Sequence, residues 1–280
     1  MTDPFDFDAP VKRYAVMGNP IAHSRSPQIH AAFAAQTGIR LSYERILVDL
    51  GGFAQAVGNF RGSGGDGLNV TVPFKQDAFR VAERLTERAR RAGAVNTLVF
   101  GREGALGDNT DGAGLVHDLQ HNLRCGVRGH SVLLLGAGGA ARGVMGPLLD
   151  AAPSRLWVAN RTLDKAAAMV AAFAHADLRA VPFAETAGAA FDIVINATAA
   201  SLAQAAPPLP PGCFASDGVA YDMMYGEDTP FMQLARAQGV TRVHDGLGML
   251  VEQAAEAFWL WHGVRPATAE VIAALRRAPV

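Results

Sequence analysis

The sequence predicts an α/β protein of two α/β domains, and three observations carry that reading. Short apolar runs alternate with longer Ala-rich stretches of helical periodicity, the pattern of a mainly parallel sheet covered by helices. The run "SVLLLGAGGAARG" sets a buried strand, a glycine turn and a helix in succession, the opening of a Rossmann-type unit. The chain has 280 residues, half of them hydrophobic and 18% charged, enough to fill two cores of ordinary size.

After a tail over residues 1–10 that is expected to be poorly ordered, the elements follow in order. "RYAVMG" is a short apolar strand. "PQIHAAFAAQTG" is a helix that starts at a proline and stops at Gly38. "LSYERILV" reads as a strand, and "FAQAVGNFRGSG" as a helix running into a glycine-rich loop. "GLNVTVP" is a strand closed by its proline. The spacing in "KQDAFRVAERLTERARRAG" predicts one helix, before the strands around "AVNTLVF" and "GALGDN".

In the second half, "DGAGLVHDLQHNLR" is helical, and the strand, turn and helix of "GHSVLLLGAGGAARGVMGPLLDA" follow it. "SRLWVANRT", "FDIVINAT" and, past a proline-rich loop, "GVAYDMMY" repeat the buried-strand pattern. From Thr229 the chain reads as a helix, a short strand and the long helix "GLGMLVEQAAEAFWLWHG". With no repeat and no flexible linker, the join between domains is expected between Asp111 and Gly129, inside a helix.

The formal charge of −1 and a pI near 6.7 give no broad electrostatic footprint for nucleic acid or an anionic membrane. Cys125 and Cys213 are far apart and outside any CxxC pattern, which favours a reducing compartment. The acidic start "MTDPFDFDAP" has no signal-peptide character, and no apolar run reaches the length of a membrane span. The expectation is a soluble, cytoplasmic protein.

Gly136, Gly138 and Ala141 form the G-x-G-x-x-G/A pattern in its required context of strand and helix. The first glycine permits the tight turn, the second lets backbone approach a pyrophosphate, and the small third residue lets the helix pack closely. The next strand ends at Asn160, 24 residues after Gly136, where an NAD enzyme would place an acidic residue for the ribose. This chain has Asn160, Arg161, Thr162 and, one turn on, Lys165. A carboxylate repels a 2′-phosphate and a guanidinium chelates it, so NADP is expected over NAD.

Thr71 and Lys75 stand at the end of "GLNVTVPFK", and Asn96, Asp108, Asn109 and Asp111 stand at later strand ends, where the ligand crevice of an open α/β sheet lies. Lysine, amides and carboxylates near one crevice suit the binding of hydroxyls and the movement of a proton. Ser24 and Ser26 stand two apart on a proline-flanked loop. On an extended loop their hydroxyls project the same way, a stiff pair of donors suited to a carboxylate.

"GNPIAHSRSPQIH", "NVTVPFK", "AGAVNTL", "GDNTDG", "GAGGAARG", "NRT", "YDMMY" and "DGLGMLVEQAA" together resemble the shikimate dehydrogenase family, in its motif order, from about Tyr14 to Val264. The resemblance implies two α/β domains with a cleft between them. The substrate domain takes residues 11–111 and 247–280, and a Rossmann-like NADP domain takes residues 112–246. It implies substrate contacts from Ser24, Ser26, Thr71, Lys75, Asn96, Asp111, Tyr225 and Gln253, with Lys75 and Asp111 as the catalytic pair.

The same resemblance places the cofactor at Gly136, Ala137, Gly138, Gly139, Ala140, Asn160, Arg161, Thr162, Lys165, Met223 and Gly246, with Glu87 as a further position. The implied reaction is 3-dehydroshikimate plus NADPH to shikimate plus NADP, on the route to chorismate and aromatic amino acids. No metal, nucleic acid or membrane takes part, and monomer and homodimer both suit the family. An NAD-preferring quinate/shikimate dehydrogenase and a non-catalytic shikimate- or NADP-binding relative are the alternatives, and a methylenetetrahydrofolate dehydrogenase has no supporting motif in the first half.

One departure is visible. Ala199, Ala200, Ser201 and Leu202 follow "INAT", where the family carries serines and a glycine, and the change bears on cofactor affinity and loop closure. His117 and His121, spaced i, i+4, lack a third metal ligand and read as surface histidines. "ERLTERARRAG" reads as a solvated basic helix face, and "FWLWHG" as core packing.

Overall fold

The computed structural model describes residues 11–198 and 205–277. The tail over residues 1–10 and the departure at Ala199 to Leu202 lie outside the described residues. The chain divides into two compact units, one reaching Thr110 and resuming at Val251, the other running from Asp111 to Leu250.

The first unit contains β1 (Lys12–Gly18), α1 (Ser26–Thr37), β2 (Leu41–Leu47), α2 (Phe53–Gly62), β3 (Gly67–Val70), α3 (Lys75–Val81), β4 (Arg84–Leu85), α4 (Glu87–Ala92), β5 (Thr97–Gly101) and β6 (Gly104–Asp108). Its sheet has the order β2-β1-β3-β5-β6-β4. β1 runs parallel to β2 and β3, and β4 to β6. β5 is antiparallel to both β3 and β6; between β5 and β6 the short link from Gly101 to Gly104 leaves no room for a crossover. Met17, Leu68, Val70 and Leu98 pack beneath Phe53, Phe60 and Phe74.

Where the periodicity predicts one helix over residues 75–93, the chain makes two. Ala82 turns extended at ψ 126, and Glu83 and Thr86 give their N–H groups to Ala105 and Gly107 of β6. At Glu83 and Thr86 the chain thereby exchanges helical bonds for sheet bonds, so these two donors stay satisfied. The helix restarts at Thr86, whose hydroxyl caps the Ala89 N–H.

Nor is the basic run wholly a solvated face. Arg88 turns inward, donating from Nε to Asp108 Oδ1 at 2.7 Å and from Nη1 to Glu256 at 2.8 Å. Asp108 is fully buried, so the forked guanidinium is what makes its charge tolerable there.

The second unit opens with α5 (Asp111–His117), which passes into a π-helical turn over Asp118–Asn122. There follow β7 (Ser131–Leu135), α6 (Gly139–Asp150), β8 (Arg155–Ala159), α7 (Leu163–Phe173), β9 (Leu178–Val181), β10 (Phe191–Asn196), β11 (Phe214–Asp222), α8 (Pro230–Ala237) and β12 (Arg242–His244). The strand order is β12-β11-β10-β7-β8-β9, and every pair is parallel. This is the doubly wound order of a dinucleotide-binding sheet. Along β7, Val132 and Leu134 enter one core and Leu133 and Leu135 the other, which is why the strand reads as an unbroken apolar run.

The edge strand β9 has no counterpart among the predicted elements. Its sequence "LRAV" is short, and Arg179 is exposed, as sheet edges tolerate. Trp157 of the neighbouring β8 meets Phe191 edge-on and carries Arg155 and Arg179 over its ring at 5.2 Å and 5.0 Å.

The division between units falls inside α9 (Leu247–His262), which α10 (Ala269–Arg277) follows. "FWLWHG" is core packing only in part. Phe258 and Trp261, one turn apart, face inward, while Trp259 is 46% exposed. Trp261 stacks on Tyr14 at 4.3 Å and donates its indole N–H to the Leu98 carbonyl.

Candidate functional site

In the first unit, the loop after β1 ends in the serine pair. Ser24 Oγ donates to Ser26 Oγ at 3.2 Å and accepts the Ser26 N–H at 3.4 Å. Ser26 is buried at the start of α1, where Pro27 occupies the first turn. The loop is tied down from outside as well. Arg45 of β2 donates to the Ser24 carbonyl at 2.8 Å, and Arg25 to the Leu275 carbonyl of α10 at 3.2 Å.

Asn19 N–H donates to the Val72 carbonyl, which joins this loop to the one after β3. That second loop carries Thr71, whose N–H donates to Met17, and Lys75, which opens α3 half-buried. The carbonyl of Lys75 accepts the Val95 N–H at 2.9 Å, next to Asn96.

Asn96 is 2% exposed and saturated with partners. Its Nδ2 donates to Thr110 Oγ1 at 2.9 Å and to Gln253 Oε1 at 3.3 Å, and its Oδ1 accepts the Thr110 N–H at 2.8 Å. Thr110, absent from the sequence expectations, fixes the Asn96 amide, and its place inside "GDNTDG" is the signal that could have found it. Asp108 and Asn109 belong to the framework instead. Asp108 serves Arg88 and the Thr86 hydroxyl, and Asn109 donates to the Ala94 carbonyl.

In the second unit, Gly136 turns the chain at φ 109, a left-handed conformation that disfavours any side chain. A Cβ there would also lie 3.1 Å from the Ala197 carbonyl oxygen. Gly138 is the N-cap of α6, and among the described residues nothing lies within 4 Å of a Cβ placed on it or on Gly139, which leaves room for an approaching phosphate. Ala140 is exposed beside them, while Ala141 is buried where the helix meets the sheet.

Ala137, Gly138, Asn160, Arg161, Thr162 and Lys165 line one pocket of 190 Å³. Asn160 Nδ2 donates to the Thr162 carbonyl at 2.8 Å, setting the turn that exposes Arg161 and Lys165. A helix N-terminus, a bare glycine turn and two exposed cations in one pocket suit a phosphorylated dinucleotide.

Further along, Asp222 ends β11 fully buried, accepting from Asn196, from Thr229 at 2.6 Å and from the Met224 N–H at 3.0 Å. It thereby shapes the turn that holds Met223 and Tyr225, a role the motif "YDMMY" conceals. Gly246 packs so closely on Met223 that a Cβ would sit 2.3 Å from its carbonyl oxygen. Asp111 opens α5 buried.

Glu87 lies in the first unit, exposed at the start of α4, and pairs with Arg90 at 3.5 Å. His117 and His121 bring their rings to 4.2 Å. Among the described residues no group of three His, Cys, Asp or Glu is placed to hold a metal ion.

A doubly wound sheet with this pocket, joined to a unit rich in buried amides and hydroxyls, defines a two-unit α/β protein of the dinucleotide-binding class. Residues 16–98 match the family described as Shikimate dehydrogenase substrate binding domain, residues 119–205 Shikimate / quinate 5-dehydrogenase, and residues 246–276 Shikimate 5'-dehydrogenase C-terminal domain. The chain belongs to the shikimate dehydrogenase family.

A relative from Aromatoleum aromaticum named Shikimate dehydrogenase (NADP(+)) is 62% identical over 95% of this chain and 98% of its own. The crystal structure of an Ael1 enzyme from Pseudomonas putida is 48% identical, with TM-score 0.90 over 94% of this chain and 98% of that one. Shikimate 5-dehydrogenase from Thermus thermophilus, solved in complex with NADP(H) and shikimate, is 35% identical, with TM-score 0.85 over 95% and 99%.

Proposed function

We propose that the protein catalyses the reversible reduction of 3-dehydroshikimate to shikimate with NADPH. The observation that carries the reading is the pocket of Asn160, Arg161, Thr162 and Lys165 beside the glycine turn, where an NAD enzyme needs a carboxylate. Relatives named Shikimate dehydrogenase (NADP(+)) and the complex with NADP(H) and shikimate support the same cofactor and substrate.

When bound, the nicotinamide supplies the hydride. The chain's own work is to hold the substrate, stabilise charge and move one proton. Ser24 and Ser26 take the carboxylate, and Thr71, Asn96, Tyr225 and Gln253 take the hydroxyls. Lys75 and Asp111 are assigned as the catalytic pair, the ammonium stabilising the developing alkoxide and passing it a proton. Gly136 to Ala140 cradle the pyrophosphate, and Arg161 and Lys165 hold the 2′-phosphate. Met223 and Gly246 complete the cofactor contacts.

We place the protein in the cytoplasm, since Cys125 and Cys213 are buried free thiols, as a reducing compartment leaves them. Among the described residues no helix is long and apolar enough to cross a membrane. The reading holds for a monomer and for a homodimer alike.

The test is an absorbance assay with shikimate or quinate, each with NADP or NAD, on the wild type and on Lys75→Ala. Turnover with shikimate and NADP is expected, and Lys75→Ala should lower kcat by about a hundredfold or more with similar shikimate affinity. Activity only with quinate and NAD, or wild-type turnover in the variant, would overturn it.

A further inference from the structure

Strand β2 brings a third hydroxyl to the serine pair, from outside every motif quoted above. Tyr43 stands in the middle of β2, in register with Tyr14 of β1. Its ring stacks on buried His30 at 4.3 Å and 9° between planes, and His30 is backed by Phe33 and Trp261. That stack fixes the Tyr43 ring.

The phenol donates to Asn69 Oδ1 at 2.7 Å and accepts from the Ser26 hydroxyl. Asn69 is buried in β3, and its other end donates to Thr97 Oγ1 at 3.1 Å. Thr97 Oγ1 donates to Asn96 Oδ1 at 3.0 Å, and Asn96 donates to Gln253. An unbroken chain of bonds thus runs from Ser24 to Gln253, all within the first unit.

Burial holds the phenol well above its ordinary titration range, so it keeps its hydrogen and points it at Asn69 Oδ1. The phenol oxygen is left as a fixed acceptor facing Ser26. A serine beside such an acceptor loses rotamer freedom before any ligand arrives, and only its hydrogen has to turn when a carboxylate binds.

We propose that Tyr43 is a positioning residue whose phenol holds Ser26 in the rotamer that meets the substrate carboxylate and couples that grip, through Asn69, to Asn96 and Gln253. It rests on the reading of Ser24 and Ser26 as carboxylate contacts. It concerns binding, so its mark is on shikimate affinity and not on the chemical step.

Tyr43→Phe keeps the stacked ring and removes only the hydroxyl. In steady-state oxidation of shikimate by the full chain, KM for shikimate is expected to rise about threefold to tenfold, the loss of one ordered hydrogen bond. The turnover number and KM for NADP should stay within about twofold, and calorimetric titration with shikimate should give the same ratio. In a Ser26→Ala background the change should add less than about twofold. Tyr43→Leu, which also loses the stack, should melt below Tyr43→Phe and separates packing from positioning. An unchanged KM, a fall confined to kcat, or full additivity with Ser26→Ala overturns the proposal. A wild type that does not turn over shikimate overturns the reaction itself, a distinct result.

Discussion

The side-chain amide of Asn96 donates to Oε1 of Gln253 at 3.3 Å, although 157 residues of sequence separate them. The contact makes α9 part of the first unit's polar cluster. Gln253→Leu leaves Asn96 bonded to Thr110 but removes an amide that we propose takes a substrate hydroxyl. KM for shikimate should rise about tenfold or more, with KM for NADP unchanged, as initial-rate kinetics would show. An equal rise in both constants would mean that α9 had shifted as a whole.

Arg161 should discriminate between the two nicotinamide cofactors. A guanidinium matches a phosphate with two parallel bonds, and the 2′-hydroxyl of NADH offers no such partner. Arg161→Ala should raise KM for NADPH by about tenfold to a hundredfold and leave KM for NADH nearly unchanged. Equal losses with both cofactors would take Arg161 out of 2′-phosphate recognition.

Gly136→Ala should weaken both the fold and the cofactor site. The new methyl meets the Ala197 carbonyl at a φ that side chains disfavour, and the strain should cost about 1–3 kcal/mol. Urea midpoints would read the first effect and KM for NADP the second. A variant as stable as the wild type would show that the turn relaxes freely.

His30 should make the protein acid-sensitive. Burial holds its pKa down at about 3, against 6.5 for a free side chain, with the charge of His262 acting the same way. Above 6.5 both states are neutral and the residue is indifferent to pH. Below it the unfolded chain takes a proton that the folded chain refuses, so stability falls toward pH 3 by up to about 1.4 kcal/mol per unit. His30→Phe keeps a ring against Tyr43 and should flatten that slope in urea titrations at neutral and mildly acidic pH. An identical slope in both proteins would place the acid sensitivity elsewhere.

The second unit was legible because β7, β8 and β10 are buried on both faces and so spell continuous apolar runs, and because the glycine turn has a steric reason at Gly136. The break between α3 and α4 was not. Its cause is the backbone of β6, which competes for Glu83 and Thr86 and leaves no mark on helical periodicity. Arg88 hides similarly, since a basic run on a helix does not say which guanidinium finds Asp108.

Within the site, the motifs pointed to residues at strand ends, such as Lys75 and Asn96, because loops after strands stand out in sequence. Tyr43 and Asn69 lie inside strands and read there as ordinary sheet residues. They meet only across β1, through the registers Tyr43↔Tyr14 and Asn69↔Val16. Knowing that β1 runs between β2 and β3 would have been the signal, and no local stretch contains it.

The tryptophans give each unit its own optical label. Trp157 is caged by two guanidiniums in the second sheet, whereas Trp261 lies flat on Tyr14 in the first, with Trp259 beside it in the same helix. Emission from a chain that keeps only Trp157, compared with one that keeps only Trp261, would follow the melting of the two sheets independently. Coincident curves would reveal a single cooperative transition, and separated curves would rank the two units by stability.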